Sequence, residues 1–229
     1  MTPGSSFGAS LSQIGEIQAH LSAAGSVLTG MVALVAVSLQ AIWIIARHVN
    51  TIAHEGAHAL AGSAVGRRIQ YVTFAANGEG ATKPSGGKLP GDFTIGVAGY
   101  LGPSLFGLAA AKLIEVGHII AVLWLSLLAL VCLAVMARRS GFGLAAVLAS
   151  GIVLFLVARY APLGAEIALA YGIAWFLLVS GVRVVLQHGR HASDAVILRQ
   201  LTRVPPSAWA AFWLLGSAAA LILGGRWLV

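Results

Sequence analysis

Residues 28–46 read LTGMVALVAVSLQAIWIIA, nineteen consecutive residues without a charged side chain. A helix rises about 1.5 Å per residue, so this segment is long enough to cross the roughly 30 Å hydrocarbon core of a bilayer. Similar apolar runs follow, at 94–114, 118–137, 141–158, 163–186 and 207–227. The pattern predicts an all-α polytopic membrane protein with about six transmembrane helices.

The composition of the 229 residues also indicates lipid as the solvent. Hydrophobic residues make up 59% of the chain and charged residues only 9%, whereas soluble chains carry about 25% charged residues. A net charge of +7 would suggest nucleic-acid binding in a soluble protein. Here we interpret it as a marker of membrane topology and expect no nucleic-acid partner. The single cysteine, Cys132, excludes an internal disulfide and any zinc site built from several cysteines.

The chain divides by composition into two parts. Residues 1–27 are small and polar and contain no Lys or Arg, so we expect a short, weakly ordered leader. Residues 28–229 are expected to form a single membrane-embedded domain. We predict a multi-pass integral membrane protein, in the cell membrane of a prokaryote. Trp209, Trp213 and Trp227 are typical of the aromatic belt at a membrane interface.

Two shorter elements are predicted between the first and second long runs. Residues 50–65 (NTIAHEGAHALAGSAV) are predicted as a half-helix, with Asn50 and Thr51 as possible N-caps. Residues 69–76 (IQYVTFAA) are β-branched and aromatic, which favours a strand. They lead into the Gly/Pro/Lys-rich loop 77–92, which we interpret as the turn of a short β-hairpin.

The distribution of basic residues favours six spans over seven. If 50–65 crosses the membrane fully, the two sides hold ten and four Lys or Arg. If it returns to the side it came from, the sides hold eleven and three, a stronger asymmetry that marks the richer side as cytoplasmic. The eleven are Arg47, Arg67, Arg68, Lys83, Lys88, Arg138, Arg139, Arg183, Arg190, Arg199 and Arg203, and the three are Lys112, Arg159 and Arg226.

The string HEGAH places three ionisable residues, His54, Glu55 and His58, in an apolar chain where each is costly. Residues i and i+4 share one face of a helix, so both imidazoles can reach one metal ion. Glu55 would then take a proton from a metal-activated water and pass it to the leaving amine. Zinc lowers the pKa of bound water toward about 7, which suits hydrolysis at neutral pH.

A third ligand is expected, because catalytic zinc usually has three protein ligands. Asp194 is the best-placed carboxylate, since it follows a long span on the predicted cytoplasmic side. It also opens a predicted helix, with Ser193 as the possible N-cap. His188 and His191 are the nearest alternatives. The other acids lie in the leader, in loops across the membrane or in the 77–92 loop: Glu16, Glu115, Glu166, Glu79 and Asp92.

Three blocks of sequence in this order resemble the M50B-like branch of the site-2 protease family, the intramembrane zinc metalloproteases. They are HEGAHALAG (54–62), AGYLGPSLFG (98–107) and SDAVILRQLTRVPPSAW (193–209), and the resemblance covers roughly residues 30–215. It implies that His54, His58 and a late aspartate, Asp194, bind zinc. It also implies that Glu55 is the general base.

The sequence departs from the pattern of that family at two positions. The family usually has glycine immediately before the second histidine, whereas here Gly56 is followed by Ala57. The Asp-Gly pair that supplies the third ligand in better-known members is absent, because Ala195 follows Asp194. We therefore expect different helix packing at Ala57.

The sequence thus predicts a zinc endopeptidase that cleaves a membrane-associated protein or peptide near the cytoplasmic face. The alternative is a catalytically inactive metal-binding membrane protein, such as a pseudoprotease or scaffold, although such a protein has no need of Glu55. A third hypothesis is a small transporter with histidines along an ion path. The clustering of charge at one end disfavours it, because a path places ionisable groups along several spans.

Overall fold

The computed structural model describes residues 12–86 and 91–229. Residues 1–11 of the predicted leader, and Lys88, lie outside the described residues. Over the described part the chain forms eight helices and one two-stranded antiparallel sheet. They are α1 (Ala23–Ser38), α2 (Gln40–Ala64), β1 (Ile69–Phe74), β2 (Gly80–Pro84), α3 (Gly91–Glu115), α4 (Ile119–Ala137), α5 (Gly141–Tyr160), α6 (Leu163–His188), α7 (Ser193–Thr202) and α8 (Pro206–Leu228).

Five helices have the length and apolar composition of membrane spans: α3, α4, α5, α6 and α8. Helices α1 and α2 meet the same test only as a pair, which is bent by 101°. The described residues therefore hold five candidate spans, or six if the bent pair is one span. These spans and the small hairpin confirm the prediction of an all-α polytopic membrane protein.

The first two helices divide at a different residue from the one predicted. The break falls at Leu39, whose backbone is extended with ψ of 117°, so the uncharged run 28–46 is not one straight helix. The helix that carries HEGAH begins at Gln40 and runs for 25 residues. The half-helix predicted to start at residue 50 is the second part of this longer helix.

The two residues predicted as N-caps are bound to distant parts of the chain instead. Asn50 is buried, and its side-chain oxygen accepts a hydrogen bond from Ser180 on α6 at 3.0 Å. The hydroxyl of Thr51 donates to the carbonyl of Gly78 at 2.8 Å. Because tertiary partners satisfy both polar side chains, the helix continues through them without a new start.

The predicted hairpin is present, with its second strand inside the segment predicted as loop. Strand β1 pairs with β2 in an antiparallel register, and Phe74 lies opposite Gly80. The turn includes Gly78, whose φ of 83° requires glycine. Val72 and Phe74 are buried and pack with residues of α2, α4 and α5. The hairpin is thereby fixed against the helices beside α2.

Helix α3 packs against α2, α6 and α8. Small residues make these approaches close, as is common between membrane helices. A β-carbon on Gly102 would lie 2.2 Å from the β-carbon of Ala57, and one on Gly107 would lie 2.9 Å from Leu178. Pro103 lies within α3, and the helix continues through it.

The segment between the apolar runs 163–186 and 207–227 contains the end of α6 and the short helix α7. Ala192 occupies the N-cap position of α7, so Ser193 is its first residue and the prediction of Ser193 as N-cap is wrong. The N-cap makes no side-chain hydrogen bond. Asp194 lies in the first turn of α7 and is buried. This turn therefore carries Asp194 back into the bundle.

Candidate metal centre

The two histidines of HEGAH lie one turn apart on the same face of α2. Their Nε2 atoms are 3.1 Å apart, and the rings meet edge to face at 4.7 Å between centroids. His58 is 6% exposed, so its imidazole is removed from bulk water. This arrangement follows from the helical repeat, which places residues four apart above one another.

Asp194 completes a triangle of donor atoms. Its Oδ2 lies 3.3 Å from Nε2 of His54 and 3.2 Å from Nε2 of His58. Among the described residues this is the one group of three His, Cys, Asp or Glu side chains placed to share a metal ion. The structure thus brings together residues that lie about 140 positions apart in the sequence.

The donor set fits a zinc ion. Four tetrahedral ligands at about 2.0–2.1 Å from zinc are separated from one another by about 3.3 Å, close to the three distances here. The Oδ2 atom of Asp194 is buried and accepts no hydrogen bond of normal geometry from the described residues. A buried carboxylate oxygen left in this state costs free energy unless a cation or donor satisfies it. Two imidazoles and a carboxylate are ligands that zinc prefers.

A backbone contact fixes the tautomer of His58. Its Nδ1 lies 2.7 Å from the carbonyl oxygen of Ile95 on α3, and a carbonyl can only accept. Nδ1 must therefore carry a proton and donate, so the neutral form of His58 directs the lone pair of Nε2 toward His54 and Asp194. Metal-ligating histidines commonly donate their other ring N–H in this way.

The charge state of Asp194 also suits a metal ligand. Burial acts to raise the pKa of the Asp194 carboxyl. The interactions with His54 and His58 outweigh burial and hold the pKa well below its usual range. The carboxyl group is therefore ionised at neutral pH, the form that coordinates a metal.

Glu55 lies beside this triangle, held by the hairpin. Its side chain is buried, and Oε2 accepts a hydrogen bond from the hydroxyl of Thr82 on β2 at 2.7 Å. The same hydroxyl lies 3.2 Å from the backbone carbonyl of Glu55. A β-carbon on Gly80 would lie 2.7 Å from the Glu55 side chain, so glycine makes room for the carboxylate. The hairpin therefore orients Glu55.

Sequence reasoning missed the contributions of Thr82 and Gly80. Strand β2 reads GATKP, which has the composition of a loop and gave no sign of a role. A single threonine in a Gly/Pro/Lys-rich segment is common, so the sequence did not indicate that Thr82 contacts Glu55.

An aromatic pair forms the other side of the site. The ring of Tyr100 meets His54 edge to face at 4.8 Å and stacks on Trp213 at 4.7 Å. Trp213 is 0% exposed, and its indole N–H donates to the carbonyl of Val97. The expectation that Trp213 belongs to an interfacial belt is therefore wrong, because its N–H finds a partner inside the bundle.

The other candidate ligands lie elsewhere. His188 and His191 are exposed at and beyond the end of α6. Asp92 pairs with Arg67, and Glu115 pairs with Lys112. None of the remaining acids considered joins a metal-binding group within the described residues, and these are Glu16, Glu79 and Glu166.

The two departures from the expected pattern have structural counterparts. Ala57 faces Gly102 of α3, so the methyl group occupies space that a glycine on the neighbouring helix leaves open. Ala195 is 0% exposed and packs with Leu198 and Trp213. The residue after Asp194 therefore serves the packing of α7 against the bundle.

Comparison with protein families identifies the class. The model of the M50B-like peptidases matches residues 27–224, nearly the whole chain, and the chain belongs to this family. The match confirms the resemblance drawn from the three sequence blocks. No curated protein and no solved structure matches the chain.

Proposed function

We propose that this M50B-like peptidase is a zinc-dependent endopeptidase, which hydrolyses a peptide bond of a membrane-associated protein near the cytoplasmic face. The observation that carries the proposal is the buried triangle of His54, His58 and Asp194 with Glu55 held beside it. Family membership supports a peptidase, and the donor set supports zinc.

In this proposal His54, His58 and Asp194 hold the zinc ion. When bound, zinc acts as a Lewis acid that lowers the pKa of water and polarises the substrate carbonyl. The hydrogen bond from His58 to Ile95 keeps Nε2 free for coordination. Gly99 leaves both Nε2 atoms accessible, since a β-carbon there would lie within 2.6 Å of each.

Glu55 acts as the general base and then as the general acid. It accepts a proton from the water that attacks the carbonyl carbon, and it delivers that proton to the amine nitrogen as the C–N bond breaks. The hydroxyl of Thr82 donates to one carboxylate oxygen, which fixes the orientation of the other. The acyl product keeps the attacking oxygen and the second water proton as a carboxylic acid, which then releases that proton to give a carboxylate.

The hairpin is suited to present an extended substrate. Strand β2 lies against α2 beside Glu55 and pairs, among the described strands, with β1 alone. A peptide must leave its helical state before its carbonyl reaches the metal centre. Addition of an unwound segment to a strand edge would satisfy its backbone groups at this step.

The location near the cytoplasmic face rests on the distribution of charge. Asp194 follows the end of α6, in a stretch of the sequence that also holds Arg183, Arg190 and Arg199. The side with more basic residues faces the cytoplasm in most membrane proteins. We therefore place the cleavage site at the cytoplasmic end of the bundle. The protein is proposed to lie in the cell membrane of a prokaryote.

Removal and return of the metal tests this function. The protein is purified in detergent and stripped with a chelator, and cleavage of a panel of transmembrane peptides is followed by mass spectrometry. We expect cleavage to stop when zinc is removed and to return when stoichiometric zinc is added. Cleavage that continues at full rate in the stripped protein would overturn the proposal. Bound zinc without cleavage of any peptide would favour a metal-binding protein without activity.

A further inference from the structure

A cavity of about 500 Å³ lies between the end of α6 and the start of α8, and none of the residues that line it belongs to the metal centre. One wall is apolar and includes Leu186, Ala211 and Leu214. Leu186 is 67% exposed on the surface of the bundle. Both helices are candidate membrane spans, so this apolar wall suits contact with hydrocarbon.

The other end of the cavity is polar and basic. Gln187, Arg190, His191 and Ser207 line it, and the first three come from the end of α6 and the turn that follows. The side-chain oxygen of Gln187 is placed to accept hydrogen bonds from Arg183, which holds a further guanidinium near this rim. The cavity therefore offers several hydrogen-bond donors at one end and an apolar surface at the other.

Neither Arg190 nor His191 has a counter-charge in the described part of the chain. The four ion pairs found there involve other basic residues, and both side chains are exposed. The nearest acid along the chain, Asp194, faces His54 and His58. An anion would thus meet no carboxylate competing for these donors.

The basic end lies at the depth of lipid headgroups. Helix α6 has 26 residues, so it is about 39 Å long and exceeds the roughly 30 Å hydrocarbon thickness. Arg190 lies beyond its last residue, His188. The polar end of the cavity is therefore at the interface, while the apolar wall extends toward the hydrocarbon.

We propose that this cavity binds an anionic phospholipid. The headgroup phosphate contacts Arg190, His191 and Ser207, and an acyl chain lies along Leu186 and Leu214. Inorganic phosphate would use the basic end alone, whereas the adjoining apolar wall favours a lipid. Anionic lipids are concentrated in the cytoplasmic leaflet, the side that carries most of the basic residues. The proposal does not depend on peptidase activity.

Native mass spectrometry of the detergent-purified protein tests the proposal. Phosphatidylglycerol and phosphatidylcholine with the same acyl chains are added at equal concentration, and bound lipids are counted. We expect the wild type to retain phosphatidylglycerol preferentially. The variant R190Q/H191Q should bind phosphatidylglycerol about five- to tenfold more weakly, because each cation near the surface contributes modestly to the affinity for anionic lipids.

A matched variant separates a site from a general surface charge. Arg138 and Arg139 are exposed on the same face, after α4 and away from the cavity. R138Q/R139Q should keep the phosphatidylglycerol binding of the wild type. An equal loss in both variants, no preference for the anionic lipid, or complete displacement of the lipid by inorganic phosphate would each overturn the proposal.

Discussion

Gly99 of α3 lies directly against His58 of α2, and a β-carbon on Gly99 would stand only 2.4 Å from Nε2 of His58. The same β-carbon would lie 2.6 Å from Nε2 of His54. Glycine at this position therefore leaves open the space that the proposed metal ion and substrate would need. The segment AGYLGPSLFG of α3 thus contributes to the candidate metal centre because Gly99 has no side chain.

Gly99→Ala should reduce zinc retention by about tenfold or more. The added methyl group pushes the imidazoles away from the geometry shared with Asp194, and small displacements of ligands weaken metal sites by this amount. Zinc per protein after dialysis, measured by mass spectrometry of the metal, checks this. Gly56→Ala is the control, because a β-carbon on Gly56 meets nothing within 4 Å. Normal zinc content in Gly99→Ala would contradict the close approach.

Asp194→Ala should weaken zinc retention more strongly than Gly99→Ala, by about 100-fold or more. It removes a proposed ligand, whereas Gly99→Ala only displaces the ligands. Competition with a chromogenic chelator measures the affinity. His188→Ala and His191→Ala should leave it unchanged, since both side chains are exposed and outside the donor triangle. If either histidine variant loses zinc while Asp194→Ala keeps it, the third ligand is assigned wrongly.

Thr82→Val should slow cleavage without releasing zinc. Valine keeps the shape of threonine but removes the hydroxyl that donates to Glu55. A hydrogen bond to a charged group is worth about 1.5–3 kcal/mol, so we expect kcat to fall by roughly ten- to a hundredfold. Thr73→Val on β1 is the control, because among the described residues its hydroxyl bonds to the hairpin backbone at Ala81 and not to Glu55. An unchanged kcat would show that Thr82 does not orient the base.

Gly102→Ala should destabilise the protein, and Ala57→Gly should restore it. The single change places two β-carbons about 2.2 Å apart, so α2 and α3 must separate. The double variant moves the methyl group from one helix to the other, and the cost of about 1 kcal/mol for glycine at position 57 is offset by the loss of glycine from the helix at position 102. Thermal unfolding in detergent measures both. Equal stability of Gly102→Ala and wild type would contradict this packing.

The spans and the two histidines were predictable because their signals are local. Apolar length predicts a membrane helix without reference to any other part of the chain. The spacing of His54 and His58 follows from the helical repeat alone. Asp194 stood out in the sequence because few other acids were available, and the structure brings its carboxylate close to both histidines.

The features that were missed depend on contacts between distant residues. Helix α2 runs through Asn50 because Ser180 on α6 bonds to it, and no local pattern reports that partner. Trp213 has the composition signal of an interfacial residue, but its indole N–H bonds to the carbonyl of Val97 and its ring stacks on Tyr100. Strand β2 forms from weak strand residues because β1 pairs with it and α2 supports it. Tertiary context decides such segments.

The central claim is that Glu55 performs hydrolysis at a metal held by His54, His58 and Asp194. The most direct test measures zinc content and cleavage rate of a transmembrane peptide on the same preparations of wild type, Glu55→Gln and the exposed control Glu79→Gln. We predict one zinc per chain in all three, with cleavage by wild type and Glu79→Gln and none by Glu55→Gln. Cleavage by Glu55→Gln at the wild-type rate would contradict the account.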